Sequence, residues 1–167
     1  MQSTELKLHN LSFSDTRTYL CATLFILGNI IMPQIAHLVP QGGLVWLPIY
    51  FFTLVGAYKY GWKVGLITAL TSPLVNSAIF GMPAAAMLPV IIFKSVTLAI
   101  IAGLTASRFK QVSPWHILIV VFGYQLIGSL GEWAWTGSLD AALQDIHIGL
   151  PGIIMQVFAG WLIIRKL

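Results

Sequence analysis

Charge is what this chain has least of. Asp, Glu, Lys and Arg make up 8% of its 167 residues, against about 25% in an ordinary soluble domain. Nine basic and five acidic side chains cannot clothe a water-facing exterior of this size, so a freely soluble globule is excluded. Cysteine is nearly absent as well. Cys21 stands alone, which rules out an internal disulfide and any Cys-rich metal site. The sequence has no HExxH, and its four histidines, His9, His37, His116 and His147, are scattered, so no bound metal is expected. The segment GAYKYGWK, Gly56 to Lys63, has two glycines of a phosphate loop but lacks the lysine after the second and the Ser/Thr that follows. No Ser/His/Asp set stands out, and the apolar segments hold no paired acids for proton transfer. The chain is therefore expected to be no enzyme, to need no cofactor and to hydrolyse no ATP by itself. The first sixteen residues lack a basic stretch followed by a cleavable apolar core, so no secretory signal peptide is expected.

What the chain does have is apolar surface. Hydrophobic residues make up 57%, and the mean hydropathy is +0.86. The solvent for most of this surface is lipid. The net charge of +4 is spread in separated pairs; it reads as a set of membrane-topology signals and implies no nucleic-acid partner. A bilayer core of about 30 Å takes roughly 20 apolar residues per helix, and six segments qualify as candidates. They run from about Tyr19 to Leu38, Leu44 to Tyr58, Trp62 to Phe80, Ala84 to Ala106, Pro114 to Trp135 and Ile148 to Ile164. Pro40-Gln41-Gly42-Gly43, Gly81-Met82-Pro83 and Thr136-Gly137 supply turn chemistry between them. The expected fold is an all-α integral membrane protein of six transmembrane helices, with residues 1–18 as a cytoplasmic segment and 19–167 as the transmembrane domain.

Charge placement supports an even number of spans. Lys7 and Arg17 precede the first, Lys59 and Lys63 separate the second and third, Arg108 and Lys110 the fourth and fifth, and Arg165 and Lys166 follow the sixth. The other connections contain no Lys or Arg. The positive-inside rule then places both termini in the cytoplasm. All six tryptophans fall near expected interfaces, where an amphipathic ring is at home. The ninth basic residue, Lys94, falls about 15 Å into the fourth span at 1.5 Å per residue.

A charge in hydrocarbon costs at least about 2.5–3.5 kcal/mol on insertion scales and needs a partner, water or a ligand. The other polar residues inside the spans, Asn29, Gln34, Asn76, Gln125, Glu132 and Gln156, lie from mid-depth outward. His147 sits at the outer entrance of the sixth span, and Asp140 and Asp145 lie in the last outer loop. This bias implies a polar pocket open to the outside, with Lys94 at its floor, Glu132 on its wall and Tyr50, Phe80, Tyr124 and Trp133 as stacking walls. A second reading of the same residues is a structural Lys94–Glu132 pair that ties two helices together. Gly61, Gly65 and Ala69 recur every four positions, a stripe that serves either internal packing or a docking face for another subunit.

The run from Leu47 to Ala106 resembles the substrate-binding S components of energy-coupling factor (ECF) transporters. The marks are an apolar second span ending in Gly56, a short basic turn, a Gly-rich third span and an outer loop with Pro83. A fourth span follows, entering with Leu88-Pro89 and leaving with Ala102-Gly103-Leu104. The segment GLPGIIMQ, Gly149 to Gln156, looks like the start of the last span in several such proteins. The resemblance implies a multi-pass protein of the prokaryotic cell (inner) membrane that binds a vitamin or related micronutrient from outside. It implies a transmembrane coupling subunit and two ABC-type ATPases as partners. It implies a pocket built by spans four to six, with Lys94, Gln125, Glu132 and Gln156 foremost and Asn76 and His147 behind them. Docking in this family uses the first three spans, here offering Ala22, Gly61, Gly65 and Ala69. A lysine in such a pocket favours an anionic or zwitterionic solute. The alternatives are a TspO-like membrane sensor, whose Trp-Pro-rich first loop is not found here, and a membrane enzyme built on Glu132 and Lys94.

Overall fold

A computed structural model describes residues 8–167. They form eight α-helices, and there is no strand among the described residues. The helices are α1 (Thr16–Ala36), α2 (Gly42–Trp46), α3 (Phe51–Tyr60), α4 (Trp62–Phe80), α5 (Leu88–Phe109), α6 (Pro114–Thr136), α7 (Leu139–His147) and α8 (Leu150–Lys166). Short 3-10 turns, Pro48–Tyr50 and Ala85–Met87, lead into α3 and α5. Helix ends follow local chemistry. Asp15, Ser113 and Ser138 cap α1, α6 and α7, accepting bonds from the N–H groups of Arg17 (2.9 Å), His116 (3.3 Å) and Ala141 (3.2 Å). Gly81 and Gly137, both at φ 68°, end α4 and α6 in the left-handed region.

Four helices are long and apolar enough to cross a membrane: α1, α4, α5 with its leading turn, and α6. α7 and α8, bent by 50° at their junction, pass the same test together. The chain is a membrane protein with four such helices, or five spans if the bent pair is one. These helices match the expected first, third, fourth and fifth spans within a few residues, except that α5 starts four residues later and runs on to Phe109.

The expected second span, Leu44–Tyr58, is not one helix. Leu47 adopts a left-handed conformation (φ 46°) and Pro48 follows, so α2 stops there. α3 has ten residues, about 15 Å of helix, half the thickness of a bilayer core. It is enclosed by α1, α4, α5 and α8, and residues Thr53 to Lys59 are all buried. Leu54, Val55, Tyr58, Leu98, Val120 and Tyr124 form the middle of the core. The exterior carries the reverse pattern, with Leu20, Leu24, Ile31, Ile35, Phe122 and Phe158 pointing outward, as a lipid-facing surface requires.

Small residues set the helix spacing. A Cβ on Gly65 would collide with the Ala57 side chain and lie 3.1 Å from that of Ala99, so α4 rests directly on α3 and α5. Ala22, Gly61, Gly65 and Ala69 are all buried within the chain's own packing. The docking face expected of these four residues is corrected accordingly: the chain itself covers all four, Gly65 by Ala57 and Ala99, and Gly61, at φ 102°, by His9 and Asn10.

Both described ends of the chain lie at one end of the bundle. His9 N–H donates to Lys59 O at 2.9 Å, Leu11 N–H to Tyr60 O at 3.1 Å, and the Tyr58 hydroxyl to Gln111 O at 2.7 Å. These bonds gather the start of α1, the α3–α4 turn and the α5–α6 loop. α8 passes Trp46 at Gly152 and Leu54 at Gly160 before reaching the same end. Arg17, Lys59, Lys63, Arg108, Lys110, Arg165 and Lys166 therefore share this basic end. Lys7 lies outside the described residues.

Candidate functional site

The polar side chains of the spans divide into two clusters. The first is a web between α1, α3 and α4. Asn29 donates to Thr53 Oγ1 at 3.0 Å and Ser72 Oγ at 3.1 Å, and its Oδ1 accepts from Phe52 N–H at 3.1 Å. Asn76 donates to Asn29 O at 2.9 Å and Ser72 O at 3.0 Å, and accepts from Gln34 at 3.4 Å. Every amide group of Asn29 and Asn76 is used. Asn76, expected in the pocket, is thus corrected to a helix-joining role.

The second cluster lies toward the end opposite the basic residues. Lys94 on α5 donates to Glu132 on α6 at 2.5 Å and to Asp145 on α7 at 2.8 Å. All three are withdrawn from solvent: Lys94 is 2% exposed and Glu132 4%, while the Asp145 side chain is 13% exposed. Such charges persist in an apolar bundle only when paired. Gly128 makes room for the lysine stem; a Cβ there would stand 2.7 Å from Lys94 Cγ. Gln125, Ser129 and Glu132 follow at i, i+4 and i+7 on α6, so they share with Gly128 the helix face turned to Lys94. Next to them the Tyr124 hydroxyl donates to Gln156 Oε1 on α8 at 2.9 Å and accepts from Gln125 Nε2 at 3.1 Å. Tyr50 packs on Tyr124 with ring centroids 5.5 Å apart.

This centre is incompletely satisfied. Gln125 Oε1, Ser129 Oγ and Gln156 Nε2 are buried without a hydrogen-bond partner. Native interiors leave few such groups, and each calls for a reason. Hollows flank the cluster. A groove of about 310 Å³ between α5 and α6 is lined by Pro89, Val90, Phe93, Gly131, Glu132 and Trp135. A smaller one of about 150 Å³ reaches Gln125 from between α6, Ile146 and Ile153. A larger hollow, about 670 Å³, opens at the basic end around Trp62, Gly103 and Lys110, remote from these groups.

Of the sequence-stated candidates, the fold brings together Lys94, Gln125, Glu132 and Gln156. It separates Trp133, 48% exposed on the outer side of α6, and His147, exposed at the end of α7. Lys94 is not the floor of an open pocket; it lines none of these hollows and is sealed by two carboxylates, while Glu132 is the charged group that faces the groove. Asp145 is the site residue that sequence reasoning missed, having been assigned to a loop. Ser138 followed by apolar residues at 139, 142 and 146 is a capped amphipathic helix, and Asp145, three residues after buried Ala142, falls on its inner side. Neither a family model, nor a curated protein, nor a solved structure matches this chain.

Proposed function

We propose that the chain is the solute-binding membrane subunit of an ECF-type importer in a prokaryotic cell membrane. It captures a vitamin or related small micronutrient from outside. Uptake is driven by a transmembrane coupling subunit and two ABC-type ATPases, since this chain carries no nucleotide-binding motif. The basic end faces the cytoplasm with both termini. The chain enters the membrane as six segments, of which α2–α3 is a broken, enclosed one.

The observation that carries this reading is the second polar cluster. A lysine and two acids in the apolar bundle are functional by default. Structural glue alone accounts for the ion pairs but leaves no reason for three further buried polar atoms without partners. The Asn29–Asn76 web is what glue looks like in this protein: amide groups all consumed. A solute that meets Gln125, Ser129 and Gln156 completes the other cluster. Gentle detergent extraction of the tagged chain from its own host tests the reading. A coupling subunit and a pair of ATPases are expected to co-purify. Recovery of the chain without an ATPase pair, together with wild-type solute uptake in a strain lacking it, overturns the proposal and favours a TspO-like sensor.

A further inference from the structure

Resting on the solute-binding reading, we infer that the cluster takes the ammonium group of an organic amine, not the anion that a lone lysine invites. Charge comes first. One ammonium, Lys94, faces two carboxylates, Glu132 and Asp145. Among the described residues no other Lys, Arg or His pairs with either acid. Counted at their ordinary charges, the three groups sum to −1. An incoming anion deepens that imbalance inside a poorly solvated site, and an incoming cation cancels it.

Hydrogen-bonding capacity points the same way. Glu132 and Asp145 each use one carboxylate oxygen on Lys94, and their second oxygens make no hydrogen bond among the described residues. Gln125 Oε1 is a buried, unpartnered acceptor on the same α6 face as Glu132, and the Ser129 hydroxyl also accepts. Gln156 Nε2 is the one unpartnered group that only donates. An acceptor-rich site suits a group with several N–H donors. The groove adds shape: Glu132 is its only charged lining residue, and Pro89, Val90, Phe93 and Trp135 give apolar and aromatic walls. Aromatic faces attract cations as well as apolar bodies. The matching solute is a compact organic ammonium with an apolar or aromatic body.

The test uses the full chain in detergent and three probes of one shape: phenethylamine as its ammonium, 3-phenylpropionate and 2-phenylethanol, each titrated by calorimetry. The ammonium probe is expected to bind at least tenfold tighter than either of the others. Glu132→Gln and Asp145→Asn are each expected to weaken it at least fivefold. Tighter binding of the carboxylate, equal binding of all three, or no binding of the ammonium probe overturns the inference. The wild-type comparison decides even if a variant fails to fold. Co-purification of the ATPase pair judges the importer reading separately, whichever probe binds.

Discussion

Lys94 shows how one side chain is held where its chemistry is costly. Its ammonium pairs with two carboxylates brought by different helices, so its removal harms more than its own contacts. Lys94→Ala leaves Glu132 and Asp145 buried without a counter-charge, and a loss of about 3–5 kcal/mol is expected, the usual result of breaking a buried pair. Reversible denaturation of the purified protein measures it; a loss below about 1 kcal/mol would mean that water already reaches the acids. Ser129 makes the opposite case. Its buried hydroxyl has no partner, so Ser129→Ala removes no hydrogen bond from the protein alone. Stability is expected to hold or rise, since a buried unsatisfied hydroxyl costs about 1–3 kcal/mol in desolvation, while the proposed solute uptake falls. A destabilisation above about 1 kcal/mol would show that the hydroxyl is structurally engaged.

α7 is the element on which the site depends and the one hardest to read in advance. Its Asp145 is bound to Lys94, and Ala142 packs inward, so a nine-residue helix outside the long spans is fastened to the middle of α5. Asp145→Asn exchanges the charged tether for a weaker one. Amide hydrogen exchange over 139–147 is expected to quicken several-fold, with α5 and α6 unchanged; equal slowing or quickening across all three would show that α7 is held by its apolar side instead. The long apolar spans were legible because hydropathy over roughly 20 residues needs no tertiary information. So was the meeting of Lys94 with Glu132, since an intramembrane charge requires a partner. Leu47-Pro48 defeated the reading of the second span because an apolar run looks the same whether it is one helix or two. Gly61, Gly65 and Ala69 were ambiguous for a related reason: small residues mark close approach without saying to which surface. Here Gly65 meets Ala57 and Ala99 of the same chain. Gly65→Val is expected to force α3 and α4 apart, at a cost of about 1–3 kcal/mol from overpacking, measured by the same denaturation; no loss would mean that the helices separate freely.

For the molecule as a whole, the two ends of the bundle carry different chemistry, and the proposed sidedness rests on that difference. Arg17, Lys59, Lys63, Arg108, Lys110, Arg165 and Lys166 collect at one end, while the cluster of Lys94, Glu132 and Asp145 lies toward the other. In the proposed orientation the loops rich in Lys and Arg are cytoplasmic, and the groove beside Glu132 then lies nearer the exterior, where the proposed solute arrives. The single cysteine makes this testable, because Cys21→Ser gives a background free of thiols. Gln41→Cys and Asp140→Cys place exposed thiols at the site end, and Arg108→Cys and Lys110→Cys place them at the basic end. In intact cells a membrane-impermeant maleimide is expected to label the first two, and to label the second two only after the membrane is opened. The reverse pattern would put the polar cluster nearer the cytoplasm and remove the case for import. Labelling of Gln41→Cys, Arg108→Cys and Lys110→Cys without Asp140→Cys would mean that an odd number of segments crosses between residues 41 and 140, and with it that the broken α2–α3 segment does not return the chain to the side on which α1 begins.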